Sequence, residues 1–332
     1  MTQRVRRLLL FLAILLFVLA APSILLYAWG YSFDWPEKKF VLTGGFYLKS
    51  IPKKAEVYLN NKLKTEKTPA FIKRLLPKEY QVKITKDGFH TWQKKLRIES
   101  KMVTEARNIL LIPEHPFLEL VKEELPADFS LDEFMSLEKS NIIFYIQEPS
   151  YILYKTDQAA SFNKQISLAP LPSGHQYQIF VSTNEKIVLL NEKNELYYFK
   201  PENKAFELLA ENVQGVQFAP DNKKLLYYTS NEIYVYYLED ILIQPNKKAY
   251  EKESITRLSQ EIKKAIWYSQ TNNHIIFTTD QAVKIIELDD RDYRNAFNLF
   301  NWSTSQIAYS HKDKKIYLVK GEKLLSFSLS SE

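Results

Sequence analysis

The residues that could perform acid–base or metal chemistry are few and scattered along the chain. The five histidines are His90, His115, His175, His274 and His311, and none lies at a metal-ligand spacing from another. The chain has no cysteine, which excludes disulfide bonds, thiolate zinc sites and cysteine nucleophiles. With seven glycines it has neither a glycine-rich phosphate loop nor a Gly-x-Ser-x-Gly turn. The sequence therefore predicts no catalytic residue, no cofactor and no metal.

The densest acidic cluster is Asp289-Asp290-Arg291-Asp292. As a calcium loop it lacks the glycine and the distal glutamate of the twelve-residue pattern. Short charge runs of this kind are typical of solvated loops. We interpret it as a solvated loop between two blades of the β-propeller that the repeats described below predict.

Positive charge is concentrated in the middle of the chain. Residues 1–42 carry a net charge of +3, residues 43–112 carry +10 and residues 113–332 carry −7. Such a basic module is attracted to an anionic surface within about 10 Å, and an anionic membrane, an acidic polysaccharide or the acidic C-terminal region could be its counterpart. An equal alternative is that the lysines only solvate the outer face, and no nucleic acid is expected because no recognised binding motif accompanies them. The candidate contacts with an anionic surface are Lys53, Lys54, Lys73, Arg74, Lys94 and Lys95.

This basic module shows the pattern of a small all-β domain. Tyr80, Val82 and Ile84 alternate with polar residues, which is the period of a half-buried strand. Prolines and Gly88 stand where turns should separate the strands. The predicted strands are Phe46–Ser50, Ala55–Leu59, Tyr80–Lys86, Thr91–Ile98 and Glu105–Ile112.

Four short motifs in this module resemble those of the PEGA domain, a small β-sandwich found in surface-exposed microbial proteins. The motifs are Pro52-x-x-Ala55, Thr68-Pro69, Leu75-x-Pro77-x-x-Tyr80 and Gly88-Phe89. Lys53 and Lys54 replace the central Glu-Gly of the family motif, and Asn61 and Lys78 replace turn glycines. The resemblance implies a β-sandwich on an exported protein, with altered turn geometry at the replaced glycines.

The N-terminus has the pattern of a membrane anchor. Arg4, Arg6 and Arg7 precede a run without charge from Leu8 to Trp29. As a helix this run would be ~33 Å long, enough to cross a hydrocarbon core of ~30 Å. The arginines predict a cytoplasmic N-terminus and an extracytoplasmic body. The alternative is a cleaved signal peptide, because Val18-Leu19-Ala20 resembles a cleavage site; apolar residues that resume at Ile24 favour the uncleaved anchor.

From about residue 130 the chain repeats pairs of apolar strand-like runs. The pairs begin at residues 141, 186, 224, 274 and 305, steps of 45, 38, 50 and 31 residues. A propeller blade of four strands takes about 40–50 residues. These steps predict a β-propeller of about five blades, or six if Phe117–Val121 adds an edge strand. The runner-up is an open or incomplete array of hairpins.

One repeat, from Val216 to Leu225, resembles the strand–Pro-Asp–turn–strand hairpin of WD-like and TolB-like propellers through Pro220-Asp221-Asn222. Together these patterns predict an all-β protein with one transmembrane helix. The predicted segments are a basic tail over 1–7, an anchor helix over 8–29, a spacer over 30–43, a PEGA-like sandwich over 44–113, a linker over 114–128 and a propeller over 129–332.

The function that these elements imply is non-catalytic. We expect a single-pass cell-envelope protein that presents both modules to a protein partner or to surface polysaccharide. The alternative is an extracytoplasmic hydrolase or lyase acting on envelope glycans, which needs two converging carboxylates or a His–carboxylate pair. A third interpretation is a scaffold that spaces other components. No residue spacing selects a catalytic pair, and fold alone does not determine function.

Overall fold

The computed structural model describes residues 3–135, 141–171 and 176–329. His175, one of the histidines considered above, lies outside the described residues. The chain folds as two compact units. One contains Met1–Ile112 with Arg291–Tyr293, and the other contains Pro113–Asp290 with Arg294–Ser331.

The first unit begins with helix α1, Gln3–Ala28, whose side chains are almost all exposed. Its 26 residues give a length of about 39 Å at 1.5 Å per residue. By length and composition α1 qualifies as a membrane-spanning helix, and a signal sequence would qualify equally. Gly30, at φ +86°, follows the end of the helix and turns the chain away.

The stretch predicted as a spacer, 30–43, forms a hairpin. Strands β1, Tyr31–Asp34, and β2, Lys39–Leu42, pair antiparallel. Phe33 lies between the rings of Trp35 and Phe40, with edge-to-face contacts at 4.9 and 5.1 Å between centroids. The aromatic residues that the sequence places after the anchor are thus organised as a small sheet and do not form an irregular linker.

Two sheets follow, as the β-sandwich prediction requires. Their strands are β3, Gly44–Ile51; β4, Glu56–Leu59; β5, Lys62–Lys67; β6, Ala70–Leu75; β7, Glu79–Thr85; β8, Trp92–Arg97; and β9, Val103–Leu110. One sheet has the order β6-β3-β9 and the other β5-β4-β7-β8. Phe46, Val82 and Trp92 are fully buried in the shared core. Strands β5 and β6 were absent from the sequence prediction, and β5 shows why: it is an exposed edge strand of lysines without apolar alternation.

The second unit is built from five antiparallel sheets within the described residues. Its elements are β10, Glu119–Lys122; α2, Leu131–Met135; β11, Ile142–Gln147; β12, Ile152–Asp157; β13, Asn163–Gln165; β14, Tyr177–Val181; β15, Ile187–Asn191; β16, Leu196–Lys200; β17, Ala205–Ala210; β18, Gly215–Phe218; β19, Lys224–Tyr228; β20, Glu232–Tyr237; β21, Lys252–Arg257; β22, Ile262–Trp267; β23, His274–Thr279; β24, Val283–Glu287; β25, Ala296–Phe300; β26, Ile307–Tyr309; β27, Ile316–Lys320; and β28, Lys323–Phe327. Strands β15, β19 and β23 are buried along their whole length, which explains the run of consecutive apolar residues that each contains.

Strand β10 joins the two ends of this unit. It pairs with β28, so the last sheet has the order β10-β28-β27-β26. The predicted linker 114–128 therefore contains a strand of the second unit, and the edge strand predicted at Phe117–Val121 is present at Glu119–Lys122, as part of the last sheet. Four of the five sheets have four strands and β11-β12-β13 has three; consecutive antiparallel sheets of this kind, with the first strand completing the last sheet, are the arrangement of a β-propeller. The number of blades stays a prediction.

His274 on β23 provides a pH-dependent test of this core. The residue is buried, and its Nδ1 lies 2.9 Å from Thr271 Oγ1. Burial lowers the pKa of His274 to about 3, while Asp289 acts weakly in the opposite direction. The folded state therefore keeps this histidine neutral, whereas the unfolded chain binds a proton below its ordinary pKa of about 6.5. The stability that the neutral histidine provides is present above that value and is lost as the pH falls towards 3.

Between pH 7 and pH 4, the free energy of unfolding of the wild type should fall by about 3 kcal/mol more than that of a His274→Gln variant. The reason is that glutamine does not titrate in this range. Urea unfolding of the solubilised full-length wild type and variant at several pH values measures how the free energy of unfolding of each changes with pH. Parallel curves for the two proteins would show that His274 is not held neutral.

Candidate binding surfaces

The six basic residues predicted to contact an anionic surface do not form one face. Lys53 and Lys54 follow the end of β3, whereas Lys73 and Arg74 lie beside its start, where Gly44 pairs with Leu75. The length of β3 separates the two pairs by roughly 23 Å. An extended ligand would be needed to contact both, so each pair has to be considered alone.

Lys94 is not on a surface, so the prediction that it contacts an anionic surface was wrong. Its side chain is fully buried, and Nζ donates hydrogen bonds to the backbone carbonyl of Arg291, at 3.0 Å, and to that of Tyr293, both in the same compact unit. The cause is visible in the alternation of β8, where Lys94 shares the buried face with Trp92 and Leu96. A lysine whose charge is satisfied by backbone carbonyls is a structural element of the module.

Lys95, one residue later, is exposed as predicted for its face of β8, and its backbone N–H donates to Asp292 Oδ2 at 2.9 Å. Lys73 is also exposed, with Nζ 5.0 Å from the ring centroid of Phe71. Contact of these residues with an anion stays a prediction.

Arg74 lies at the end of helix α1. Its guanidinium group stacks over the ring of Tyr27, 3.4 Å from the ring centroid. Both residues line a pocket of about 200 Å³ between the last turns of α1 and the β1–β2 hairpin. The predicted anchor residues lie on the same helix: Arg4, Arg6 and Arg7 are exposed in its first turns, Leu8 follows them, and Trp29 is exposed just after its end.

In the second unit, the antiparallel order brings the first and third turns of each sheet to one edge. Contacts between neighbouring sheets confirm this geometry. Lys186 Nζ, in the β14–β15 turn, donates to the Asn222 carbonyl at 2.7 Å and to Glu239 Oε1 at 2.8 Å. Asn222 Nδ2 in turn donates to Thr183 Oγ1 at 2.6 Å. The turns of two sheets therefore form one connected edge.

The loop between β20 and β21, residues 238–251, carries an apolar tip at this edge. Leu242 is 84% exposed and Ile243 is 49% exposed. The tip is nevertheless held by hydrogen bonds, because Asn246 Nδ2 donates to the Leu242 carbonyl at 2.7 Å and Ala249 N–H donates to Asp240 Oδ1 at 2.8 Å. An ordered loop with exposed aliphatic side chains is typical of a protein-binding surface. The sequence analysis missed it, although the apolar run starting at Ile241 between polar residues is a visible signal.

Aromatic residues connect this loop to the sheets below it. The rings of Tyr198 and Tyr236 lie 5.8 Å apart, and Tyr250, in the loop, lies 6.3 Å from Tyr236. Burial raises the pKa of Tyr236 to about 12, so it is neutral at physiological pH. Lys200 Nζ lies 3.9 Å from the half-exposed ring of Tyr250, which gives the surface a cationic neighbour.

A charged cluster, which we call the Glu253 cluster, holds the base of the loop. Glu253 on β21 accepts hydrogen bonds from Tyr237 Oη at 2.6 Å, from Lys247 Nζ at 2.8 Å and from Arg294. Lys247 also donates to Asp290 at 2.8 Å. Burial disfavours the charge of Lys247, but the hydrogen bonds to Asp290 and Glu253 outweigh this effect and raise its pKa. Burial and the hydrogen bond to Glu253 raise the pKa of Tyr237.

The buried carboxylates of this unit are occupied by such contacts. The Glu253 carboxylate is neutralised by two cations, and Glu287 accepts from the backbone and the side-chain amide of Asn295 at 2.8 and 2.7 Å. Over residues 3–135, 141–171 and 176–329, no three histidine, aspartate or glutamate side chains are placed to hold a metal ion. These arrangements serve structure better than acid–base catalysis, because a general acid or base must be free to exchange its proton with a substrate.

Comparisons with known proteins support the module assignment of the first unit. Residues 43–110, about a fifth of the chain, match the PEGA domain. No curated protein matches the sequence.

Similar solved structures include YCF48 from Cyanidioschyzon merolae, with 8% identity over 84% of this chain and 96% of that one at a TM-score of 0.41. The Dos1 propeller shares 13% identity over 76% of this chain and 66% of that one, at a TM-score of 0.38. The Xanthomonas campestris gluconolactonase XC5397 shares 11% identity over 57% of this chain and 68% of that one, at a TM-score of 0.36. At these similarities the propeller assignment rests on the strand order described above.

The Glu253 cluster predicts a large stability effect at one glutamate and a small one at its neighbour. A Glu253→Ala variant should be destabilised by about 3 kcal/mol, because it leaves the largely buried side chains of Lys247 and Arg294 without their shared carboxylate. Glu251→Ala is the matched control, since Glu251 is more exposed and lies 3.8 Å from Lys247; it should cost below about 1 kcal/mol. Urea unfolding measures both values, and equal costs would contradict the role given to Glu253.

Proposed function

We propose that this chain is a non-catalytic, single-pass cell-envelope protein that presents a PEGA module and a β-propeller to a protein partner. The observation that carries the proposal is the 238–251 loop, which holds Leu242 and Ile243 in solvent on an ordered backbone. Binding surfaces of this kind combine apolar anchors with a scaffold that is ordered before the partner arrives.

The membrane attachment is the contribution of α1. Its apolar run from Leu8 is long enough to cross a bilayer, and Arg4, Arg6 and Arg7 before it favour a cytoplasmic N-terminus. In this orientation the PEGA module and the propeller are extracytoplasmic.

The composition of the loop favours a protein over a polysaccharide as the propeller's partner. Leu242 and Ile243 are aliphatic, and Tyr250 adds an aromatic ring with Lys200 beside it. Apolar and aromatic anchors surrounded by a polar rim are typical of protein interfaces. No observation on the described residues favours a hydrolase or lyase, because Glu253 and Glu287 are occupied by hydrogen-bonding neighbours.

The test is partner capture by the full-length protein in its own membranes. A Leu242→Asp/Ile243→Asp variant should lose a cross-linked partner at least tenfold, because burying one charge costs more than the roughly 1.4 kcal/mol that a tenfold change requires. Leu208→Asp is the control, since Leu208 is exposed on the outer strand β17. The partner should survive that change.

Equal recovery by the loop variant and the control would contradict a role for the 238–251 loop. If neither the wild type nor the control captures a protein, and the purified protein is retained on acidic polysaccharide, the partner is a glycan. Turnover of such a glycan by the purified protein would contradict the non-catalytic assignment.

A further inference from the structure

The end of α1 lies at a defined depth if the helix spans a bilayer. From Leu8 to Tyr27 the helix rises about 28 Å, close to the thickness of a hydrocarbon core of ~30 Å. Tyr27 and the last turn are then at the boundary between acyl chains and headgroups. Trp29, which follows with 68% of its surface exposed, is the type of residue that occupies this boundary.

A local irregularity brings Arg74 to the same depth. Between β3 and β6 the pairing shifts, so that Lys73 and Arg74 together oppose the single residue Gly45. Such a bulge redirects a side chain relative to a regular strand. Arg74 adopts a φ of 61°, a left-handed conformation that is unfavourable for any residue with a Cβ atom. The unfavourable backbone coincides with the residue whose guanidinium group stacks on Tyr27.

The charge of Arg74 has no anionic partner in the part of the chain that the structure describes. In that part of the chain Arg74 stacks on the ring of Tyr27, and its side chain is exposed. A ring covers one face of a guanidinium plane and leaves the N–H groups at its edge free to donate. Those donors match the paired oxygens of a phosphate group, which is why arginine is favoured at phosphate sites.

The adjacent pocket of about 200 Å³ has both polar and apolar walls. Hydroxyl groups come from Ser23, Tyr31 and Ser32, and apolar surface comes from Leu26, Phe33 and Phe40. A free phosphate ion would use only the polar part. A phospholipid uses both, because its phosphate joins a polar headgroup to the glycerol and acyl chains.

We infer that Arg74 and this pocket bind the phosphate of an anionic phospholipid in the leaflet where α1 ends. The inference rests on the membrane attachment proposed above. The bound lipid would fix the PEGA module against the membrane surface through the β1–β2 hairpin, which lines the same pocket.

The test uses the full-length protein in nanodiscs that contain equal amounts of phosphatidylglycerol and phosphatidylcholine. Native mass spectrometry then identifies the lipids that stay bound after the protein is released from the nanodisc. The variant is Arg74→Gly, because glycine adopts a φ of 61° without strain and keeps the bulge. The matched control is Lys54→Gly, which removes one positive charge at a φ of 63° beyond the other end of β3.

We expect wild type and Lys54→Gly to retain phosphatidylglycerol in preference to phosphatidylcholine, and Arg74→Gly to lose that preference by about tenfold. Equal retention of both lipids by the wild type, or equal behaviour of the two variants, overturns the inference while the membrane attachment stands. Displacement of the lipid by inorganic phosphate at millimolar concentration also overturns it, in favour of a free-anion site. Recovery of a protein whose intact mass lacks α1 overturns both the inference and the proposed attachment.

Discussion

The pairing of β10 with β28 is the constraint on which the second unit depends. The pairing ties the start of this unit to its end, and without β10 the last sheet would end at an exposed β28. The pairing supplies backbone hydrogen bonds between residues about two hundred positions apart, such as the Glu119–Ser326 partners. The ion pairs beside it, Lys315–Glu119 and Lys323–Glu123, are exposed and add little. The link between the two ends of the unit therefore comes mainly from the paired backbones.

The second unit also depends on contacts between neighbouring sheets. Leu226 and Tyr228 of one sheet pack in the same core as Trp267 and Phe277 of the next. The Trp267 indole donates to the Gln217 carbonyl at 3.1 Å, so a polar bond also crosses between neighbouring sheets. Each sheet buries its faces only against its neighbours, which is the usual basis of cooperativity in repeated architectures.

The sequence predicted the elements whose side chains alternate or form long apolar runs, and failed where the determining contact is distant. Residues 43–110 and the repeated strand pairs were recognisable from local patterns. Strand β5 was not, because an edge strand of lysines has no buried face to produce a pattern. The burial of Lys94 could have been inferred from its neighbours on β8. The position of Arg74 could not, because it follows from a pairing shift between β3 and β6 that no local pattern reports.

The Glu253 cluster holds the exposed 238–251 loop to the sheets of the second unit. Lys247 belongs to the 238–251 loop, and it bonds to Glu253 on β21 and to Asp290 in the β24–β25 connection. The loop is therefore held at its base by the largely buried Lys247–Glu253 pair and by the exposed Asp290 of the next sheet, while Leu242 and Ile243 at its tip stay in solvent. The exposure of Leu242 and Ile243 therefore comes with an ordered backbone, because Lys247 fixes the base of the loop and Asn246 and Asp240 hold its tip.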